Sequence, residues 1–231
     1  MLELKKGVDI LAEVGGIRKI EDANALFEKQ LDPDTLDKLS QIKNEEARIK
    51  IANAISMCQP KAVFIDTGSP EDMQKIRAMS LEKGEEKKLS MKDHTIHFDL
   101  PQDQARLVNQ TFYIVNADEK ISALQKSVSR NDGLAYVREY MTGIMADKIM
   151  MVGFFSRGPV GAQASVPAIE ISSSTYVFHS ADILYRNCYA DFDSEVERKG
   201  IFYSNVDSEG RNRREDVPNA RIFMDRSWLT T

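Results

Sequence analysis

The chain has 231 residues, 42% of them hydrophobic, and a net charge of -5 at pH 7. Its length allows one large domain or two small ones, and its mild acidity argues against nucleic-acid binding as the main role. It contains no apolar run of about 18 residues, so no membrane span is predicted, and its first residues lack the hydrophobic core of a signal peptide.

The two cysteines, Cys58 and Cys188, lie far apart in the sequence and make no disulfide framework. A reduced, cytoplasmic location is therefore expected. Cys58 is predicted to be a buried core thiol rather than a nucleophile, because no His or Asn signature of a thiol enzyme lies beside it.

The first 58 residues are predicted to be helical. Residues 5–14 form a short amphipathic piece that ends at Gly15, and residues 21–31 carry apolar side chains near helical spacing. Asp32 and Asn44 are the predicted N-caps of two further helices. Apolar stripes of this kind are typical of core packing, and nothing catalytic is predicted here.

An α/β unit follows. Residues 62–66 are predicted to be a buried strand, Ser69 caps a helix with Pro70 in its first turn, and Gly84 ends that helix after about residue 83. The turn between strand and helix lacks the GxxxxGK[ST] pattern of a P-loop, and that pattern occurs nowhere in the chain.

Residues 93–100 alternate as a strand would, which places His94 and His97 on opposite faces. Ordinary strand histidines are therefore favoured over a shared metal. Arg106 follows, on a loop or short turn before a strand at residues 111–115. An arginine there suits a carboxylate or phosphate, because its planar fork donates two parallel hydrogen bonds. From the residues alone, a salt bridge to Asp103 or a nearby acid is the alternative.

A strong helix capped by Asn131 leads into the most patterned part of the chain. Residues 149–155 are predicted to be a buried strand, a Gly/Pro turn covers residues 156–161, and a second strand follows at 168–172. Residues 172–175 form a polar corner. Residues 176–185 are apolar again, and helix and strand both remain open for them.

The last part contains predicted strands at residues 201–206 and 220–224. Between them, residues 207–217 are dense in charge and are predicted to be an exposed loop or a partly disordered segment. Its arginines Arg211, Arg213 and Arg214 are interpreted as a solvated cluster rather than an anion site.

Five blocks of sequence stand in one order from residue 62 onwards: VFIDTGSPEDMQKIR, EEKKLSMKDHTIHFD, QDQAR, FFSRGPVGAQASVPAIEISSSTYVFHSADILYR and RIFMDRSW. Together these blocks resemble the N-terminal half of phosphoenolpyruvate carboxykinase of the GTP type, in its archaeal-like branch. The first 60 or so residues match only as a helical prefix, and Arg157 stands where relatives often carry an apolar residue.

The resemblance implies an α/β fold, a mixed β-sheet with flanking helices, behind the helical N-terminal prefix. The division expected from it is a prefix of residues 1–58 and a substrate-binding domain of residues 59–231. Arg106 matches the family arginine that holds the substrate carboxylate. No catalytic or metal-binding residue is expected in this chain.

The resemblance also implies that the chain is the N-terminal domain of an enzyme of gluconeogenesis that converts oxaloacetate and GTP to phosphoenolpyruvate, GDP and carbon dioxide. GTP and Mn²⁺ or Mg²⁺ are expected in a C-terminal nucleotide-binding domain of the same polypeptide, so this chain is expected to be inactive alone. Two alternatives stay open: a stand-alone, non-catalytic binding module with this fold, and a carboxykinase that uses ATP or pyrophosphate.

Overall fold

The computed structural model describes residues 3–98, 108–210 and 217–231. Within them are eight α-helices: α1 (Ile10–Gly15), α2 (Ile20–Gln30), α3 (Pro33–Ser40), α4 (Glu45–Cys58), α5 (Pro70–Lys83), α6 (Arg130–Met141), α7 (Thr175–Leu184) and α8 (Phe192–Lys199). The strands are β1 (Ala62–Asp66), β2 (Lys87–Lys88), β3 (Thr95–Ile96), β4 (Thr111–Val115), β5 (Ser127–Ser129), β6 (Ile149–Arg157), β7 (Val166–Ser172), β8 (Arg186–Asn187), β9 (Tyr203–Asp207) and β10 (Ile222–Met224).

The central sheet is mixed and has the order β1-β6-β7-β9, with β8 paired to β6 beside that path. β1 runs parallel to β6, β6 and β7 form the predicted antiparallel hairpin, and β9 runs parallel to β7. β6 is buried along most of its length because helices cover the sheet. The α/β class with a mixed sheet and flanking helices is thus confirmed.

Two smaller sheets flank the central one. β10, β4 and β5 form a parallel sheet in that order, and β2 pairs with β3 in a short antiparallel ribbon. Of the strand predicted at residues 93–100, positions 99 and 100 lie outside the described residues, and among residues 93–98 the ribbon takes in only Thr95 and Ile96.

The N-terminal helices pack directly on the central sheet. Ile51 and Ile55 of α4 belong to the same hydrophobic cluster as Val152 of β6 and Ile169 of β7. Asn53, almost completely buried, ties α4 to the chain before α2, since it accepts from the Ile17 N–H at 2.8 Å and donates to the Ile17 carbonyl at 2.8 Å. The residues on either side of position 58 therefore contribute to one core.

The predicted caps largely hold. The side chains of Asp32, Asn44 and Ser69 each accept from a backbone N–H three residues later, and Gly84 ends α5 in the left-handed conformation. The prediction for α6 was wrong by two residues: Ser129, rather than Asn131, accepts from the N–H three residues later and caps the helix.

Two further helix boundaries differ from the sequence pattern, and one open assignment is resolved. α1 begins at Ile10 rather than residue 5, because Asp9 caps it. α6 ends at Met141, so the buried Met145 lies in the turn that follows. The open question over residues 176–185 is resolved as helix, α7, capped by the Ser174 hydroxyl. Among the described residues, no helix has the length and apolar character needed to cross a bilayer.

Candidate functional site

A cavity of about 870 Å³ lies between the central sheet and the β10-β4-β5 sheet. One side is apolar and includes Ile114, Val137 and Phe223. The opposite side is polar, and it is formed by the edge of the central sheet and the start of α7. A concave space with an apolar wall and a few converging polar groups is the usual form of a ligand site.

The polar wall begins with two pairs of side chains on neighbouring strands. In the register of β7 and β9, Glu170 lies opposite Asn205, and Ser172 lies opposite Asp207. The Asn205 Nδ2 donates to Glu170 Oε2 at 2.8 Å, and the Ser172 hydroxyl donates to Asp207 Oδ2 at 2.8 Å. Because strand side chains on one face repeat every second residue, both pairs point to the same side of the sheet.

The acids of these two pairs, Glu170 and Asp207, are both shifted toward the protonated form. Burial raises the pKa of Glu170, and burial followed by the charge of Glu170 raises the pKa of Asp207 to about 7. Near neutral pH, Asp207 therefore exists as a mixture of acid and carboxylate. Such a group is chemically able to give or take a proton from a bound molecule.

Arg157 supplies the positive charge on this wall. It ends β6, lines the cavity, and lies over the rings of Tyr185 and Tyr203, with its guanidinium carbon 5.9 and 5.7 Å from the two ring centroids. Its charge also lowers the pKa of Glu170 against the effect of burial. The guanidinium of Arg157 is thus positioned by the faces of two tyrosine rings and by attraction to Glu170.

The start of α7 forms the next part of the wall. Glu85 Oε2 accepts from the Ser174 hydroxyl at 2.8 Å and from the Tyr176 N–H at 2.8 Å. Burial alone would raise the pKa of Glu85, but these two hydrogen bonds hold that pKa below its usual value. The N-terminal end of this helix is therefore already occupied by a carboxylate of the same chain.

His97 lies at the rim beside this helix. Its ring stacks on Tyr176 with centroids 3.6 Å apart, and its Nδ1 is 2.6 Å from the Glu85 carbonyl oxygen. His94 instead places its Nδ1 2.8 Å from the Lys92 carbonyl oxygen. Each histidine thus has its own backbone contact, and both lie outside β3, which comprises only Thr95 and Ile96. Within the described ranges, no three His, Cys, Asp or Glu side chains are grouped to hold a metal ion.

The sequence-based candidates are placed unevenly. Arg106, the predicted substrate-binding residue, lies outside the described residues, as do Arg211, Arg213 and Arg214. From the glycine-rich turn only Arg157 lines the cavity, whereas the Gly161 N–H donates to Glu195 Oε1 at 3.0 Å and so joins the turn to α8.

The polar corner of residues 172–175 contributes to the wall in two ways: Ser174 lines the cavity, and Ser172 donates a hydrogen bond to Asp207. Sequence reasoning missed Glu170, Asn205 and Asp207. One signal was present for Glu170, which is the lone charged residue in an otherwise apolar strand pattern. The other two carry no local signal, since β9 shows its partner only in the folded sheet.

Both cysteines are free and buried, and the burial of Cys58 agrees with its prediction as a core thiol. Burial, with a smaller effect of Asp207, raises the pKa of Cys58 to about 12. A thiol so reluctant to ionise is a poor nucleophile.

Comparisons with known proteins agree with one another. The sequence model of the family described as "Phosphoenolpyruvate carboxykinase N-terminal domain" matches residues 50–231. The protein of Thermococcus sibiricus named "Phosphoenolpyruvate carboxykinase [GTP]" is 36% identical over 203 residues, which cover 86% of this chain and 32% of that relative. The Saccharolobus solfataricus protein of the same name is 35% identical, over 83% of this chain and 30% of its own length. The chain thus spans about a third of the length of the curated relatives it matches.

Proposed function

Because the chain belongs to the phosphoenolpyruvate carboxykinase N-terminal domain family, we propose that it supplies the substrate-binding wall of a GTP-dependent phosphoenolpyruvate carboxykinase. The parent enzyme removes carbon dioxide from oxaloacetate, and the resulting enolate oxygen attacks the terminal phosphate of GTP. The products are phosphoenolpyruvate, GDP and carbon dioxide. The names of the relatives support GTP as the phosphate donor.

The observation that carries this proposal is the meeting of His97, Arg157 and the start of α7 at one cavity. His97, which lines this cavity, precedes the QDQAR block by only a few residues in the chain. In this proposal Arg106 pairs with a substrate carboxylate and aligns the departing carboxyl group. Arg157 adds a second positive charge to the same wall.

The remaining requirements of the reaction lie elsewhere in the parent enzyme. We assign GTP and Mn²⁺ or Mg²⁺ to a C-terminal nucleotide-binding domain of the same polypeptide, as the family resemblance implies; the P-loop pattern that such a domain would carry does not occur in this sequence. The metal would neutralise the transferred phosphate there. We place the parent enzyme in the cytoplasm and in gluconeogenesis, and we expect residues 1–231 alone to form no phosphoenolpyruvate.

A stand-alone binding module with this fold is the second candidate, and a carboxykinase that uses ATP or pyrophosphate is the third. The gene sequence after the codon for Thr231 separates the first two. The family resemblance implies that a substrate-binding segment of the YxGN type and then a P-loop follow this region. Their presence in frame supports the enzyme, whereas a stop codon supports the module. A donor assay with GTP, ATP and pyrophosphate on the parent enzyme separates the third.

The direct test is Arg106→Ala in the parent enzyme. Loss of a paired charge contact should cost about 2–4 kcal/mol of transition-state stabilisation, which corresponds to a roughly 30- to 700-fold fall in kcat/KM. The KM for oxaloacetate should rise. Arg18→Ala is the matched control, because Arg18 is an exposed arginine of the helical prefix that pairs with Glu13. Unchanged kinetics in Arg106→Ala would remove this residue from the site.

A further inference from the structure

A second pair of acids lies on the other side of the fold, where β1 ends against α7. Asp66 is the last residue of β1 and is completely buried. Its Oδ1 accepts from the Gly68 N–H at 2.9 Å, and its Oδ2 accepts from Asn187 Nδ2 at 3.1 Å. The carboxyl group of Asp182 in α7 lies close enough to that of Asp66 for each acid to affect the pKa of the other.

Asp182 has an unusual environment for a carboxylate. Both of its oxygens are shielded from solvent, and no N–H or O–H donor of a described residue reaches either of them. A buried carboxylate without donors is unfavourable by several kcal/mol, so native proteins usually avoid it. A single proton held between the two carboxyl groups removes the difficulty, because each acid then has a hydrogen-bonded partner and the pair carries one charge rather than two.

The surrounding charges do not offer another solution. From α5, Asp72 adds a further negative charge, and its own carboxylate is engaged by Lys38 of α3 at 3.2 Å and by the Thr67 N–H at 3.1 Å. Lys83 donates to the Ser173 carbonyl at the opposite end of α7. The neighbour in β8 is Asn187, which is neutral.

The other titratable group on the inner side of α7 is His179. Its Nδ1 lies 2.8 Å from Glu86 Oε2, so this histidine is engaged away from the acid pair. In the part of the chain that the structure describes, no basic side chain hydrogen-bonds to Asp66 or Asp182.

We propose that Asp66 and Asp182 share one proton and that this proton fastens α7 to the end of β1, so that the packing of α7 weakens as the pH rises above neutrality. The consequence reaches the cavity described above, because Ser174, Tyr176 and Val177 of the same helix line it. The acid pair is thus a pH-sensitive attachment for one wall of the candidate site.

The direction of the pH effect follows from the pKa values. Burial, then the neighbouring charge of Asp66, raises the pKa of Asp182 to about 8, and burial also raises the pKa of Asp66. The folded chain therefore binds more protons than the unfolded chain between the ordinary Asp value near 4 and pH 8. Stability falls with rising pH through this window and levels off above it.

The first experiment is a carboxyl-carbon NMR titration of the 231-residue chain labelled at aspartate. Two coupled titrations of Asp66 and Asp182 are expected, one of them near pH 8. If both Asp66 and Asp182 titrate below pH 5, the proposal is overturned, whatever the folding of any variant and whatever the pKa of Asp207.

The second experiment measures thermal unfolding of the chain at pH 6 and pH 9. The unfolding temperature of the unaltered chain is expected to fall by roughly 5 °C over this interval. Asp182→Asn should reduce that fall, because the amide N–H donates to Asp66 at every pH. Asp147→Asn, at an exposed acid, should leave the fall unchanged.

Asp207→Asn is the comparison that separates the two acid pairs, because the raised pKa of Asp207 acts in the same direction. The part of the pH effect that remains in Asp207→Asn should disappear when Asp182→Asn is added. A fall in Asp182→Asn equal to that of the unaltered chain contradicts the shared proton. A second result would also contradict the shared proton: millimolar Mg²⁺ or Ca²⁺ stabilises the unaltered chain at pH 9 but does not stabilise Asp182→Asn. In that case a cation, rather than a proton, would hold the two acids together.

Discussion

The buried ion pair between Arg130 and Asp225 provides the sharpest test of what holds this fold together. The Arg130 Nη2 donates to Asp225 Oδ1 at 3.0 Å, its Nη1 donates to the other oxygen, and the two side chains are only 8% and 5% exposed. Arg130 begins α6, and Asp225 follows β10, so the pair joins elements far apart in the chain. The Val8 carbonyl accepts a further bond from Arg130 at 2.7 Å and adds the N-terminal segment.

Asp225→Ala would leave a buried guanidinium without its counter-charge. Removing one partner of a buried pair costs about 3–5 kcal/mol of unfolding free energy, and at ~2–4 °C per kcal/mol the unfolding temperature should drop by roughly 6–20 °C. The variant also loses the acceptor for the Ser227 N–H, which bonds to Asp225 Oδ1 at 3.1 Å. Urea denaturation followed by circular dichroism gives the free energy, and calorimetry gives the unfolding temperature.

Two comparisons make this prediction specific. Glu46→Gln breaks an exposed pair with Lys5, whose side chains are 40% and 61% exposed, and should cost less than about 1 kcal/mol. The double change Arg130→Met with Asp225→Leu removes both charges and should recover most of the stability. If Asp225→Ala alone lowers the unfolding free energy by less than about 1 kcal/mol, then the buried Arg130 guanidinium does not depend on Asp225 for its stability.

Two further predictions concern the core. Phe154→Ala should lower the unfolding free energy in urea denaturation by about 3–5 kcal/mol, because this fully buried ring packs edge-on against Phe192 with the ring centroids 4.9 Å apart. Phe98→Ala, at an exposed ring, should change it by less than about 0.5 kcal/mol, and equal effects of the two variants would contradict the assignment of the core. Burial raises the pKa of the Cys58 and Cys188 thiols to about 12, so a thiol reagent at pH 8 should modify neither cysteine until the chain is unfolded; rapid modification of the native chain would be inconsistent with their burial.

Local signals in the sequence predict much of the secondary structure. The caps at Asp32, Asn44 and Ser69 are readable because each side chain bonds to a backbone N–H three residues later, so the whole motif lies within one short segment. The family resemblance can be recognised from the sequence for a related reason, since each of its blocks is a continuous stretch of the chain. The match of the family model to residues 50–231 confirms this resemblance.

The candidate site could be predicted only in part. The Ser172–Thr175 corner and Arg157 are visible as a hydroxyl cluster and an odd residue in a glycine-rich turn. Their partners are not, because Glu170 meets Asn205, and Ser172 meets Asp207, only through the parallel register of β7 and β9. The substrate role of Arg106 stays a prediction that rests on the resemblance.

Sequence alone predicts the family, the α/β class, the starts of α3, α4 and α5 and the β6–β7 hairpin, because these depend on residues close together along the chain. Tertiary structure alone decided that residues 175–184 are helical, since an apolar run has the same pattern in a buried helix and a buried strand. It also decided that Asp66 and Asp182 meet. Their pairing depends on how α7 packs against the end of β1, and no local pattern records a contact between residues so far apart in the chain.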